Sequence, residues 1–340
     1  DVAPSRGLGD VYKRQVLEFN SRQREYSVYS LLKETERTQH MTVGEFYLAL
    51  IDEFERNGKL GNRRAYKGSY NSLNSFTGDN LDICFEDITQ GWLLNYESWL
   101  RAKGNKETTI SIQFRTLRSV YNKAIKRKCV GKEYYPFEDF HINKFNVHTD
   151  KRAISKNDVL KIISADLTGK SEYVKFSRDI FVFSYLCGGI NFCDVASLTK
   201  ENILNGRLSY VRQKTGKQIN LCLTKNASAI IDKYYKGGKG FLFPILDVTR
   251  HITATQRENR LHKVLGQVDK SLKIVAQIAK VDVNLTTYVA RHSYATVLKR
   301  SGVPTSIICE SLGHSSERVT QIYLDSFENE QIDEAMKNLL

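Results

Sequence analysis

The sequence predicts a mainly α-helical protein with one small β-hairpin or sheet (α+β), divided into two domains. Three observations carry that expectation. Between breaker residues, apolar side chains recur at helical spacing through most of the chain, and several of these runs open on a Ser or Thr able to cap them. Clear two-residue alternation marks one stretch, Leu208–Thr224. The chain has 340 residues, enough for two domains that each bury a core.

Composition narrows the function classes. Lys and Arg number 51 against 38 Asp and Glu, a net charge of +13 with pI ≈ 9.3. Such a balance favours a polyanionic partner, nucleic acid first and an anionic membrane surface second. The membrane has little support: the longest apolar run, Ile180–Ile190, contains Ser and two Gly and falls far short of the ~20 residues of a spanning helix. No signal-peptide pattern is visible. The cysteines at 84, 129, 187, 193, 222 and 309 are scattered without a C-x-x-C pair. That argues for reduced thiols in a cytosol, and against a structural zinc or a disulfide scaffold.

Residues 1–15 lack an initiator Met and include GLGDVYKRQ, which resembles translated sequencing-adapter read-through, so they are set aside from the fold. Residues 16–40 are polar with scattered aromatics and read as a linker or the remnant of an N-terminal region. A helical domain is expected over 41–130. Thr42 caps a first helix carrying Phe46, Leu50, Ile51 and Phe54, which Asn57-Gly58 ends. A second helix near Arg63–Phe76 aligns Tyr66, Tyr70 and Leu73, and a third over Thr89–Lys103 aligns Leu93, Tyr96 and Leu100 before Gly104. The fourth, about Glu107–Lys128, buries Ile110, Phe114, Leu117, Tyr121 and Ile125 and exposes Arg115, Arg118, Lys126, Arg127 and Lys128. A basic stripe of this kind serves equally as a solvated face or as a phosphate-contacting one. Residues 131–152 have mixed polarity, one Pro and a basic end, and read as an extended linker.

The second domain is expected over 153–340, opening on a helix capped by Ser155. An apolar helix, Arg178–Leu186, runs into Gly188-Gly189. In the alternating stretch, Lys214-Thr215-Gly216-Lys217 forms a hairpin turn and Ile219, Leu221 and Leu223 share a face. Asn259–Ala279 reads as a long amphipathic helix. Breakers then split Thr286–Asp325 into three helical pieces. The first carries Tyr288, Arg291, Ala295 and Leu298 and stops at Gly302. Pro304 suits the first position of the second, and Gly313 the residue past its end. Ser315 or Ser316 caps the third, where Val319, Ile322 and Tyr323 share a face. Ile332, Ala335, Met336 and Leu339 place an apolar stripe on the acidic tail.

Arg291, His314 and Tyr323 thus fall within one 40-residue stretch. A protonated phenol, with a pKa near ~10, is a poor nucleophile. A cation and an imidazole gathered with it around an anionic phosphate would make it a useful one.

This order and spacing resembles the tyrosine recombinase (phage integrase) family. Its box reads His-x-x-Arg, about two dozen residues, Leu-Gly-His, then nine residues to the nucleophilic Tyr. Here the box is Tyr288-Val289-Ala290-Arg291, Leu312-Gly313-His314 and Tyr323, with Tyr288 in place of the first His. Upstream the family reads Gly-x-Arg-x-x-Glu-x-x-x-Leu. Asp194 and Leu198 fit, but Asn191 stands where the Arg belongs. In this segment the chain is similar to integrases of Bacteroidetes mobile elements, some of which lack that Arg. An Asn amide can donate to a phosphate, yet it is uncharged and has no planar fork. Arg178 and Arg212 are the candidates to replace the missing guanidinium in space.

The resemblance implies a helical, SAM-like core-binding domain followed by an integrase-type catalytic domain. It implies site-specific strand exchange on double-stranded DNA without metal, nucleotide or other cofactor. Tyr323 would form the 3′-phosphotyrosyl link. Arg291 and His314 would stabilise the phosphate's charge, aided by the Tyr288 hydroxyl and by Asn191, with Asp194 in support. Lys214, or else Lys217, would protonate the departing 5′ oxygen. Arg115, Arg118, Lys126, Arg127, Lys128 and Lys217 would contact phosphates, which gives affinity rather than sequence choice. Also implied are a homotetramer on DNA coupled through the C-terminal helix, accessory DNA-bending proteins, and a bacterial cytoplasmic, nucleoid-associated location. A DNA invertase or shufflon recombinase, a type IB topoisomerase and a DNA-binding protein that has lost catalysis share parts of this pattern.

Overall fold

A computed structural model describes residues 41–147, 152–238, 240–321 and 324. The chain divides into two compact units at residues 148/149.

In the first unit, helix α1 (Val43–Arg56) opens on a reciprocal capping box between Thr42 and Glu45. Helices α2 (Leu60–Phe76), α3 (Gln90–Ala102) and α4 (Glu107–Lys126) follow. Phe46, Tyr47 and Leu50 of α1, Leu73 of α2, Leu93 and Tyr96 of α3 and Phe114, Leu117 and Tyr121 of α4 form the core. The expected extended linker over 131–152 is corrected in its first part. Residues up to Phe145 include two short 3₁₀ turns, Lys132–Tyr134 and Ile142–Lys144, and bury Phe137, Phe140, Ile142 and Phe145 in the same core. Phe145 stacks on Phe114 with centroids 5.4 Å apart, and the Tyr121 hydroxyl donates to the Tyr134 carbonyl at 2.7 Å. Burying these aromatic rings outweighs the polar residues between them, since each ring removes a large apolar area from water.

In the second unit, α5 (Lys156–Ser164) is capped by Ser155, whose hydroxyl accepts from the Asp158 N–H at 3.1 Å. Helix α6 (Glu172–Leu186) starts earlier than its apolar run, capped by Ser171. It is buried along most of its length and packs against α9 (Ala254–Ile278) and α10 (Thr287–Arg300). Short α7 (Phe192–Ser197) leads to an antiparallel sheet of β1 (Ile203–Leu204), β2 (Arg207–Val211) and β3 (Gln218–Cys222). The β2–β3 register runs from Arg207↔Cys222 to Val211↔Gln218, placing Leu208 and Ile219 in the core. Helix α8 (Lys225–Tyr234) follows. After α10 come α11 (Thr305–Ser311), with Pro304 as its N-cap rather than its first residue, and α12 (Glu317–Gln321). Ala295, Ile308, Leu312 and Leu324 form a small cluster there. Ile322, Tyr323 and the tail from residue 325, with its expected apolar stripe, lie outside the described residues. No described helix is long and apolar enough to cross a membrane.

Candidate active site

The Leu312-Gly313-His314 turn, just past α11, is where the second unit's charged side chains converge. Gly313 adopts φ +63°, the left-handed region that favours glycine. Arg291, on α10 and only 2 % exposed, donates from Nη1 to the Gly189 carbonyl at 2.8 Å and from Nη2 to the Leu312 carbonyl at 2.5 Å. The same Nη2 lies 2.9 Å from His314 Nε2. A guanidinium has no acceptor, so Nε2 accepts and the imidazole proton is assigned to Nδ1. Nδ1 then donates to the Thr320 hydroxyl of α12 at 2.9 Å.

Burial, followed by the charges of Arg291, Arg212, Lys214 and Lys217, pushes the His314 pKa down to about 3. The ring is therefore neutral at physiological pH and adds no positive charge at the phosphate, and its Nε2 lone pair is taken by Arg291. Unfolded His takes its proton near ~6.5. Between that value and about 3 the unfolded chain binds more protons than the folded one, so stability falls as pH drops. Taking the protein from pH 6.5 to 5 is expected to cost up to about 2 kcal/mol through this residue. His314→Gln should lack that part of the loss in paired denaturant titrations; identical acid sensitivity of the two proteins would remove His314 as its source.

Arg212 enters from the end of β2 and is 3 % exposed. Its Nη1 donates to the Gly313 carbonyl at 2.7 Å, so two guanidinium groups hold two successive carbonyls of one turn. Arg212 Nε is buried with no hydrogen-bond partner among the described residues. Strand alternation was the signal for this placement: Leu208, Tyr210 and Arg212 all face inward. The structure does not bring Arg178 here. Its Nε donates to Asp179 at 3.0 Å and its Nη1 to the Ala165 carbonyl at 3.3 Å. Asp179 in turn accepts from Lys233 and Tyr234 of α8, which fixes Arg178 in a separate, part-buried network.

Asn191 is the N-cap of α7, half-buried, and its side chain makes no capping bond. Asp194 is buried, and burial raises its pKa above the usual carboxylate range. Its Oδ1 accepts the Gln213 backbone N–H at 3.0 Å, so the acid steadies the hairpin loop. Lys214 is exposed in that loop, whereas Lys217 is tied through Nζ to the His314 carbonyl at 2.6 Å. Tyr288, one turn before Arg291, is 43 % exposed with its ring edge-on to His292 at 4.9 Å. Tyr323 lies outside the described residues.

In the first unit Arg115, Arg118, Lys126, Arg127 and Lys128 are all exposed. Arg127 pairs with Glu53 at 2.6 Å. Arg115 and Arg118 line a cleft of about 420 Å³ with Phe137, His141, Asn143 and Val147. Those last four lie in residues 131–147, whose mixed polarity resembles a linker and carries no local signal of a site.

Residues 42–145 match the phage integrase SAM-like domain, and residues 152–330 match the phage integrase family. The tyrosine recombinase XerD of Halalkalibacterium halodurans is 24% identical over 239 residues, covering 70% of this chain and 77% of that one. Among solved structures, the Tn1549 transposon integrase in complex with a circular intermediate DNA superposes with a TM-score of 0.61 at 18% identity, over 88% of this chain and 99% of that one. A lambda integrase dimer bound to a COC′ core site gives 0.60 at 15% identity, over 96% and 91%. The two structures share the fold, and the family match runs through more than half of the sequence: this chain belongs to the phage integrase family of tyrosine recombinases.

Proposed function

We propose that this chain is the site-specific recombinase of a mobile element, an integrase that cuts and rejoins double-stranded DNA. The observation that carries this reading is the gathering of Arg291, Arg212 and a neutral His314 on one turn, nine residues before Tyr323. The Tyr323 oxygen attacks a backbone phosphorus, the P–O5′ bond breaks, and a 3′-phosphotyrosyl link and a 5′-hydroxyl result. The phenol loses its proton to water as the bond forms, His314 holds Arg291 in place through Nε2, and the Lys214 ammonium gives its proton to the departing oxygen. Arg291 holds charge on the phosphate, and Arg212 supplies the guanidinium that Asn191 lacks. Attack by a second 5′-hydroxyl on the phosphotyrosine reverses these steps and conserves the phosphodiester energy.

The exposed Arg115, Arg118, Lys126 and Lys128 suit a phosphate backbone, and with net charge +13 binding should weaken steeply with salt. Assembly as a homotetramer on DNA in a bacterial cytoplasm belongs to the same reading. Asn191 and Tyr288 favour one second reading, a DNA-binding protein with impaired catalysis. A nicked suicide duplex carrying the cognate site separates the two. A covalent adduct that disappears in Tyr323→Phe is the expected result. Tight, salt-sensitive binding by wild type with no adduct would establish the binding protein instead.

A further inference from the structure

The tip of the β2–β3 hairpin, Arg212–Lys217, is fixed on two sides. On one, the Thr215 hydroxyl donates to the Gly313 carbonyl at 3.0 Å and Lys217 Nζ to the His314 carbonyl at 2.6 Å. On the other, the Gln213 N–H donates to Asp194 Oδ1 at 3.0 Å, and Gln213 Nε2 donates to Ser197 Oγ at 2.9 Å. The loop's backbone closes on itself as well: the Arg212 carbonyl accepts from the N–H groups of Thr215 and Gly216, and the Arg212 N–H donates to the Lys217 carbonyl. Lys214 sits in the middle, exposed, and makes none of these side-chain bonds.

A hairpin tip that only solubilises the fold needs no such restraint, because its polar groups are satisfied by water and ordering them costs conformational entropy. Here the restraints run to the two segments that carry the rest of the site, α7 behind Asn191 and the turn ending at His314. A Lys side chain is a flexible four-carbon stem. Where its ammonium can act is set by where its backbone is held, and proton transfer is sensitive to that placement.

We infer that Gln213, Thr215 and Lys217 are positioning residues that hold the hairpin loop between α7 and the Leu312–His314 turn, so that Lys214 meets the departing 5′ oxygen. The inference rests on the proposed role of Lys214 as proton donor. It gives Asp194 a task that does not require an Arg at position 191: its carboxylate anchors the Lys214 loop through the Gln213 N–H.

The test compares two nicked suicide duplexes recovered from a randomised library by covalent capture with wild-type protein. One carries the ordinary 5′ oxygen at the scissile bond and the other a bridging 5′ sulfur. A thiol, with a pKa near ~8.5, leaves without the proton that an alcohol needs. The Thr215→Val/Lys217→Met protein should form its adduct at least about tenfold more slowly on oxygen, yet within about twofold of wild type on sulfur. Lys214→Ala should show the same pattern with a larger oxygen defect, and Thr215→Ser/Lys217→Arg should recover most of the rate. If the double variant folds poorly, each single substitution gives a smaller defect of the same kind. Equal slowing on both duplexes, or no slowing on oxygen, overturns the positioning role. A Lys214→Ala protein that is equally slow on both removes Lys214 as the acid, and the inference falls with it. Wild type that yields no adduct at all overturns the reading of the site itself.

Discussion

Arg212→Ala should cleave its site about 10²–10³-fold more slowly than wild type, the usual cost of losing one preorganised donor to a developing oxyanion. Affinity for the same duplex should fall no more than several-fold, because contacts along the DNA backbone supply most of it. The turn should survive the change, since the Gly313 carbonyl keeps the Thr215 hydroxyl as a donor. What disappears is a buried, fork-shaped cation on the same turn as Arg291, in a chain whose family position for the first Arg holds Asn191. Arg212→Lys keeps the charge but not the planar geometry, so it should recover only part of the rate. Arg178→Ala is the matched control and should cleave normally, since Asp179 retains Lys233 and Tyr234 as partners. Single-turnover adduct formation with an intact thermal midpoint is the measurement. Normal cleavage by Arg212→Ala would return the question to Asn191.

The helices of the first unit were legible in the sequence because their signals are local. Thr42 with Glu45, and Thr89, mark starts within three residues of the groups they cap. Helices α6 and α9 begin earlier than their apolar runs suggest, because Ser171 and Thr253 cap first turns that are largely polar. The aromatic segment 134–145 reads as a linker in the sequence because its partners, Phe114 and Tyr121, lie on α4, a separate element. In the site, the spacing of Arg291, Leu312-Gly313-His314 and Tyr323 points to one chemistry from the sequence alone. The bonds that fix Thr215 and Lys217 end on carbonyls 98 and 97 residues away. Neither carbonyl's identity depends on its side chain, so no pattern of residue types reveals them.

Gly189→Ala should destabilise the second unit by about 2–4 kcal/mol, combining a left-handed backbone penalty with overpacking. Gly189 has φ +64°, and a Cβ there would lie 2.8 Å from the Arg291 Cα, 3.0 Å from its Cγ and 3.1 Å from its Cβ. The nearest of these is backbone of α10, a helix packed on α6, so relief requires one helix to move. The Gly189 carbonyl also accepts from Arg291 Nη1 at 2.8 Å, so the movement displaces the guanidinium directly. A shift of this kind, up to about 1 Å, can cost on the order of 10²-fold in rate. Gly188→Ala separates the two effects. It has φ +72°, and its Cβ would meet Leu221 Cδ1, the end of a flexible side chain, at 2.7 Å and the Ser311 carbonyl oxygen less tightly at 3.3 Å. It should therefore carry mainly the backbone penalty of about 1–2 kcal/mol and keep more of its cleavage rate once folded. Matching midpoints and matching rates for the two variants would mean that the approach of Gly189 to α10 does not set the position of Arg291. A lower midpoint and a slower folded enzyme for Gly189→Ala alone would place the second glycine of the pair in the site, as the surface against which its arginine is seated.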